Sequence, residues 1–142
     1  MSTKQALFTM VVAAAAAAAG WMARGTSAQA ASPMVYELRT YHCEPGKLPN
    51  LLARFRDHTT KLFEKHGMKN VGYWVPADGE AHENTLIYVL AHKDRDAAKK
   101  SWDAFRNDPE WVKARTASEA SGKIVNRTES VYMNPTGFSK LQ

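Results

Sequence analysis

Between Met34 and Trp74 the chain changes its hydrophobic period twice, and each change is marked by a residue suited to it. Val35 to His42 alternates: Val35, Glu37, Arg39 and Tyr41 share one side, Tyr36, Leu38, Thr40 and His42 the other. A period of two with β-branched and aromatic residues specifies a strand. Pro45-Gly46 is a turn pair. From Lys47 the period becomes helical: Leu48, Leu51, Leu52, Phe55, Thr59, Leu62, Phe63 and His66 form one stripe. Gly67 suits the helix end, because glycine takes the left-handed conformation without a Cβ penalty. Lys69 to Val75, rich in valine and aromatics, is a second strand.

The same signals continue. Asp78-Gly79 is a hairpin turn pair, and Thr85 to His92 is a nearly all-apolar third strand, as expected for one covered on both faces. Asp94 caps a helix whose apolar stripe is Ala97, Ala98, Trp102 and Phe105. Asp108-Pro109 pairs an N-cap with proline at the first helical position and starts another helix, which Ser121-Gly122 stops. Lys123 to Met133 alternates again as a fourth strand. The order is β-α-β-β-α-β, the α+β, ferredoxin-like sandwich. Its helices cover one sheet face only. The other face, carrying Tyr73 or Trp74 and apolar groups of strand three, is too apolar to stay wet. A homodimer whose two sheets close on one another into an α/β barrel is the expected solution.

The first thirty residues read as a secretory leader rather than as fold. Lys4 precedes an apolar run from Leu7 to Ala19, broken only by Thr9, and Ala28-Gln29-Ala30 fits a small-residue cleavage site. An uncleaved anchor is the alternative, but a membrane span needs roughly 20 apolar residues and this run is shorter. Residues 1–30 are therefore expected to be removed, leaving one domain over 31–142, exported to the periplasm or secreted, with no stable membrane span. Without Lys4 and Arg24 the balance is 17 basic against 14 acidic residues, so the net charge falls from +5 to +3. Basic and acidic residues interleave, which argues against a nucleic-acid footprint. Cys43 stands alone, so no internal disulfide forms.

Candidate chemistry is sparse. Glu37 and Arg39 lie two apart on one strand face, as a pair that orients a polar ligand or as a structural ion pair. Tyr41 and Trp74 line a pocket for a flat aromatic ligand, or belong to the core. His58, three after Phe55 and four before Leu62, is placed between helix and sheet as a general base or a haem ligand, or at the stripe's edge on a backbone carbonyl. No histidine pair has zinc-site spacing. There is no GxSxG, phosphate-cradling glycine loop or paired-carboxylate signature.

Val35 to Tyr41, Pro45-Gly46-Lys47, Leu62-Phe63-Glu64-Lys65-His66-Gly67, Gly72-Tyr73-Trp74, Asp108-Pro109-Glu110-Trp111 and Glu129 to Thr136 together resemble the signatures of NIPSNAP domains. The resemblance covers nearly all of the chain after the leader. It implies the dimeric α/β-barrel fold, a superfamily that includes cofactor-free monooxygenases, haem-degrading enzymes and proteins of unassigned activity. Three functions follow as expectations. The first is binding of a small aromatic or apolar molecule through Glu37, Arg39, Tyr41, His58 and Trp74, with no cofactor unless haem. The second is a cofactor-independent oxygenase or isomerase on an aromatic or quinone-like substrate, in which His58 and Tyr41 handle protons and Arg39 steadies an oxyanion. The third is a protein-interaction module with no pocket.

Overall fold

The computed structural model describes residues 33–141; the expected leader lies outside them. Strands β1 (Val35–Cys43), β2 (Lys69–Trp74), β3 (Thr85–His92) and β4 (Val125–Met133) form one antiparallel sheet in the order β2-β3-β1-β4. Helices α1 (Leu48–Arg54) and α2 (Thr60–Lys65) are joined by a π turn, Phe55–Thr59. α3 (Arg95–Arg106) and α4 (Pro109–Ser118) link β3 to β4. A short 3-10 turn, Glu80–Glu83, lies within the β2–β3 hairpin connection.

The punctuation works as its chemistry requires. Asp94 accepts the Ala97 N–H at 2.7 Å, and Asp108 accepts the Glu110 N–H at 2.7 Å directly before Pro109. Gly67, at φ +78°, turns the chain out of α2. The π turn is the departure from the expected regular helix. Phe55 and Thr59 both face the core there, and the buried Thr59 hydroxyl donates to the Arg54 carbonyl at 3.2 Å.

β1 is central, paired with β3 from Val35↔His92 to His42↔Thr85 and with β4 from Tyr36↔Met133. Its odd-numbered residues face the helices. There Tyr88, Phe55, Phe63, Trp102 and Phe105 build a ring-on-ring core, largely edge to face, with centroids 4.9–6.0 Å apart. In β2 the register slips between Asn70 and Gly72. Asn70 and Tyr73 thereby both turn toward the helices. The Asn70 amide donates to the Thr60 carbonyl (3.0 Å) and to Glu64 (2.9 Å), and the Tyr73 hydroxyl donates to Asn70.

Trp74 is therefore the residue on the second sheet face. Its indole lies over Gly72, where a Cβ would come within 2.5 Å of the ring. Part of that face is apolar and poorly covered, with Trp74 53 % and Val131 55 % exposed, while His42, Arg127 and Glu129 form an ion-paired cluster at its other end. The chain after β4 crosses one end of it. Asn134, Pro135 and Leu141 meet Tyr36, Val71, Trp74 and Val89 around a pocket of about 320 Å³. Among the described residues, no helix is long and apolar enough to cross a membrane.

Candidate ligand-binding site

The strand alternation that aims Glu37, Arg39 and Tyr41 at the helices brings them onto one surface. Glu37 is 1 % exposed and fully engaged. One carboxylate oxygen accepts from Arg39 (2.6 Å) and Ser130 (2.7 Å), the other from His92 (2.9 Å) and the Trp102 indole (2.7 Å). Burial by itself pushes this carboxyl up. The bonds from His92, Trp102, Ser130 and Arg39 outweigh it and hold the group at about 2, against an ordinary 4.5. A carboxylate only accepts, so the His92 Nε2 carries the proton in this pair. Glu37 thus ties β1, β3, β4 and α3 together through a single buried charge.

Arg39 is less satisfied. Its guanidinium stacks on the Trp102 ring at 4.2 Å and sits 5.5 Å from the Tyr41 ring. NH1 donates to Glu37, while Nε is buried with no partner. Burial works against its charge, but the oxygens of Tyr88, Tyr41 and Glu37 more than compensate, and the group titrates above its ordinary value. Arg39 and Tyr41 separate two hollows on the helix side of the sheet.

The hollow beside Tyr41 is aromatic. Tyr41, Phe55, Phe63, Phe105 and Trp111 line about 210 Å³ of space. Arg54, Arg115 and Thr128 lie at its polar side. Edge strand β4 contributes the small side chains of Val125 and Thr128 to its lining. Arg54 is buried, bonded to Ser118 (3.2 Å) and Glu119 (3.4 Å) and lying 5.2 Å from the Trp111 ring. An apolar cavity of about 150 Å³ accepts benzene, so this one has room for a substituted ring. The hollow beside Arg39, between α3 and β4, is polar and encloses about 460 Å³. Arg95, Lys99, Arg106, Ser130 and Tyr132 line it with Glu37, Arg39, Asp96 and Trp102.

The sequence profile of the NIPSNAP family matches residues 36–140. The chain belongs to the NIPSNAP family. A solved NIPSNAP family protein of unknown function from Agrobacterium tumefaciens is similar at 24 % identity and TM-score 0.67, covering 78 % of this chain and 95 % of that one. An uncharacterised NIPSNAP domain protein from Burkholderia xenovorans is similar at 23 % identity and TM-score 0.63, over 75 % of this chain and 98 % of that one. SnoaB, a cofactor-independent oxygenase from Streptomyces nogalater, shares the fold at 13 % identity and TM-score 0.52, over 77 % of this chain and 99 % of that one. No curated protein matches the chain. The α+β, ferredoxin-like reading and the NIPSNAP resemblance are both supported.

Within this NIPSNAP domain the expected site residues divide into three places. Glu37, Arg39 and Tyr41 are brought together on the helix side. Trp74 is on the opposite face and cannot line a pocket with Tyr41. His58 is not between helix and sheet: it is exposed, beside Asp57 on the outer surface near α4. Thr59 holds the inward place that the stripe gives it, and its neighbour His58 on the π turn points outward. Neither hollow beside β1 has a lining histidine or cysteine to offer a haem iron. Among the described residues, no three His, Cys, Asp or Glu side chains converge as metal ligands.

Sequence reasoning missed His92, Trp102 and Ser130, whose convergence on Glu37 depends on strand register and helix placement. It also missed the basic stripe Arg95, Lys99 and Arg106. That stripe was readable: offsets of four and seven residues return to one helix face.

Proposed function

We propose that this NIPSNAP protein binds a small aromatic molecule in the hollow beside Tyr41, and that it works as an exported homodimer. The observation that carries the binding reading is the ring-lined cavity itself. Five aromatic rings converge on one half-open hollow to which Arg54, Thr59, Arg115, Glu119 and Thr128 add polar groups, and ring-lined concavity with a few polar groups is the pattern of a small-molecule site. The dimer rests on the second sheet face, where Trp74 and Val131 stay more than half exposed on an apolar surface. Export rests on the leader composition of residues 1–30.

The test uses a plug. Thr128 lines the cavity from the edge strand and is otherwise exposed. Thr128→Trp fills the mouth while leaving the core intact. With 1-naphthol as probe, titrated by NMR, the native protein shows saturable binding and the variant loses it at unchanged melting temperature. Binding that survives the plug, or native protein that binds no ring compound, overturns the reading.

A second reading is enzymatic, a cofactor-independent oxygenase or isomerase. It is favoured by one contact, Arg39 beside Tyr41 with the Arg39 Nε unfilled. In that version Tyr41 relays a proton and Arg39 steadies the developing oxyanion; His58 is too exposed for the role. Oxygen uptake or isomerisation with a naphthol or hydroquinone, abolished by Tyr41→Phe, supports it. Turnover unaffected by that change sinks it. The pocket-free interaction module is the least favoured, because it expects a solid core where the cavity lies.

A further inference from the structure

We infer that the polar hollow between α3 and β4 is a carboxylate site, so that the ligand is an aromatic acid with its ring beside Tyr41 and its acid group at Arg39, in the positive field of Arg95 and Arg106. The inference rests on the aromatic-cavity reading above and names the chemical class it takes.

Four cations line this hollow, Arg39, Arg95, Lys99 and Arg106, against two carboxylates, Glu37 and Asp96. Glu37 is already saturated by four donors. Lys99 and Arg106 share Asp103 at 2.9 and 2.6 Å, and that carboxylate is half-exposed and outside the hollow. Arg95 has no carboxylate partner among the described residues. It lies flat on the Tyr132 ring at 3.6 Å, which fixes its plane and leaves its N–H edge unsatisfied by charge. Arg39 contributes the unfilled Nε. α3 supplies the arrangement by spacing alone: residues 95, 99 and 106 fall in one stripe with Trp102.

A concave wall with more cations than carboxylates focuses a positive field and raises the local concentration of anions. Planar guanidinium groups fixed by aromatic stacking suit a planar two-oxygen acceptor. A singly charged carboxylate matches a wall that also carries Glu37 and Asp96; a doubly charged phosphate would meet more repulsion from them. The Arg39 guanidinium carbon lies 5.5 Å from the centre of the Tyr41 ring, so an acid group held by Arg39 is next to a ring held at Tyr41.

The experiment compares 1-naphthoate, 1-naphthamide and 1-naphthyl phosphate by calorimetry at low salt. The acid is expected to bind about tenfold or more tightly than the amide, and 1 M salt should remove most of that advantage. In Arg95→Gln/Arg106→Gln the acid loses most of its advantage over the amide, while amide binding stays at its native value. If acid and amide bind equally to native protein, the carboxylate site is wrong and the aromatic cavity stands. If neither binds, the cavity reading fails and takes this one with it. Phosphate binding more tightly than the acid overturns the carboxylate assignment. Arg54 and Arg115 border the aromatic hollow, so the site is located by the single variant Arg95→Gln at an exposed position: a reduced acid advantage supports the assignment, and an advantage kept in full overturns it.

Discussion

Replacing Glu37 by glutamine tests whether the buried carboxylate is the knot that holds four elements together. The group sits at about 2 in the fold against an ordinary 4.5. At about 1.4 kcal/mol per pH unit, that gap corresponds to about 3 kcal/mol of stability at neutral pH. The sign follows from the direction. A carboxyl held below its unfolded value stabilises the fold above pH 4.5, and that contribution fades as pH falls toward 2. Near pH 3 roughly half of it, about 1.4 kcal/mol, remains. The glutamine of the variant cannot titrate, and its amide also sets a donor against donors. That misfit adds a cost independent of pH, so the pH-dependent part of the difference is the quantity to read. Urea unfolding followed by tryptophan fluorescence, at pH 7, 5, 4 and 3 and at fixed protein concentration, measures it. The native-minus-variant gap should be flat from pH 7 to 5 and shrink below pH 4.5. A gap that keeps its full size at pH 3, or a variant within about 1 kcal/mol of native at pH 7, refutes the assignment of this charge as a net stabiliser.

Asp94→Ala removes the bond to the Ala97 N–H and should cost about 1 kcal/mol, read as a lower urea midpoint with unchanged slope. Thr59→Val keeps the shape of the π turn but deletes the hydroxyl bond to Arg54; a loss of about 1–2 kcal/mol in the same assay is expected, and no loss would mean the hydroxyl is not needed there. Val131→Asp puts a charge into the exposed apolar sheet face. Sedimentation of protein purified from its own host should give twice the mass of one chain for the native form, with dimer affinity weakened by roughly thirtyfold or more in the variant, from about 2 kcal/mol of uncompensated desolvation. A native monomer at micromolar concentration removes the dimer.

The elements are legible because local chemistry marks them. β1 alternates without a break, and Asp94, Asp108-Pro109 and Gly67 each perform the capping role that their side chains permit. β3 is nearly all apolar, with Leu86, Tyr88 and Leu90 buried toward the helices and Ile87 and Val89 part-buried on the second face. What escapes is whatever depends on one residue more or less. Phe55, Thr59 and Leu62 keep the inward places of the stripe, but the π turn among them carries no periodic mark, and His58, at the stripe's edge, is exposed rather than between helix and sheet. The slip at Asn70–Gly72 has the same character: it decides whether Tyr73 or Trp74 faces the helices, and no periodicity can choose over so short a strand. The Glu37 cluster is half visible, since Arg39 is its neighbour on the strand. His92, Trp102 and Ser130 are distant in the chain, and only pairing register and helix docking bring them in.

The most direct measurement is the position of a bound ring. With isotope-labelled protein and unlabelled 1-naphthol, intermolecular NOEs should run to Tyr41, Phe105 and Trp111, with none to Trp74 or Val131. NOEs confined to Trp74, Val131 and their neighbours would place the ligand on the opposite sheet face and contradict the account at its centre.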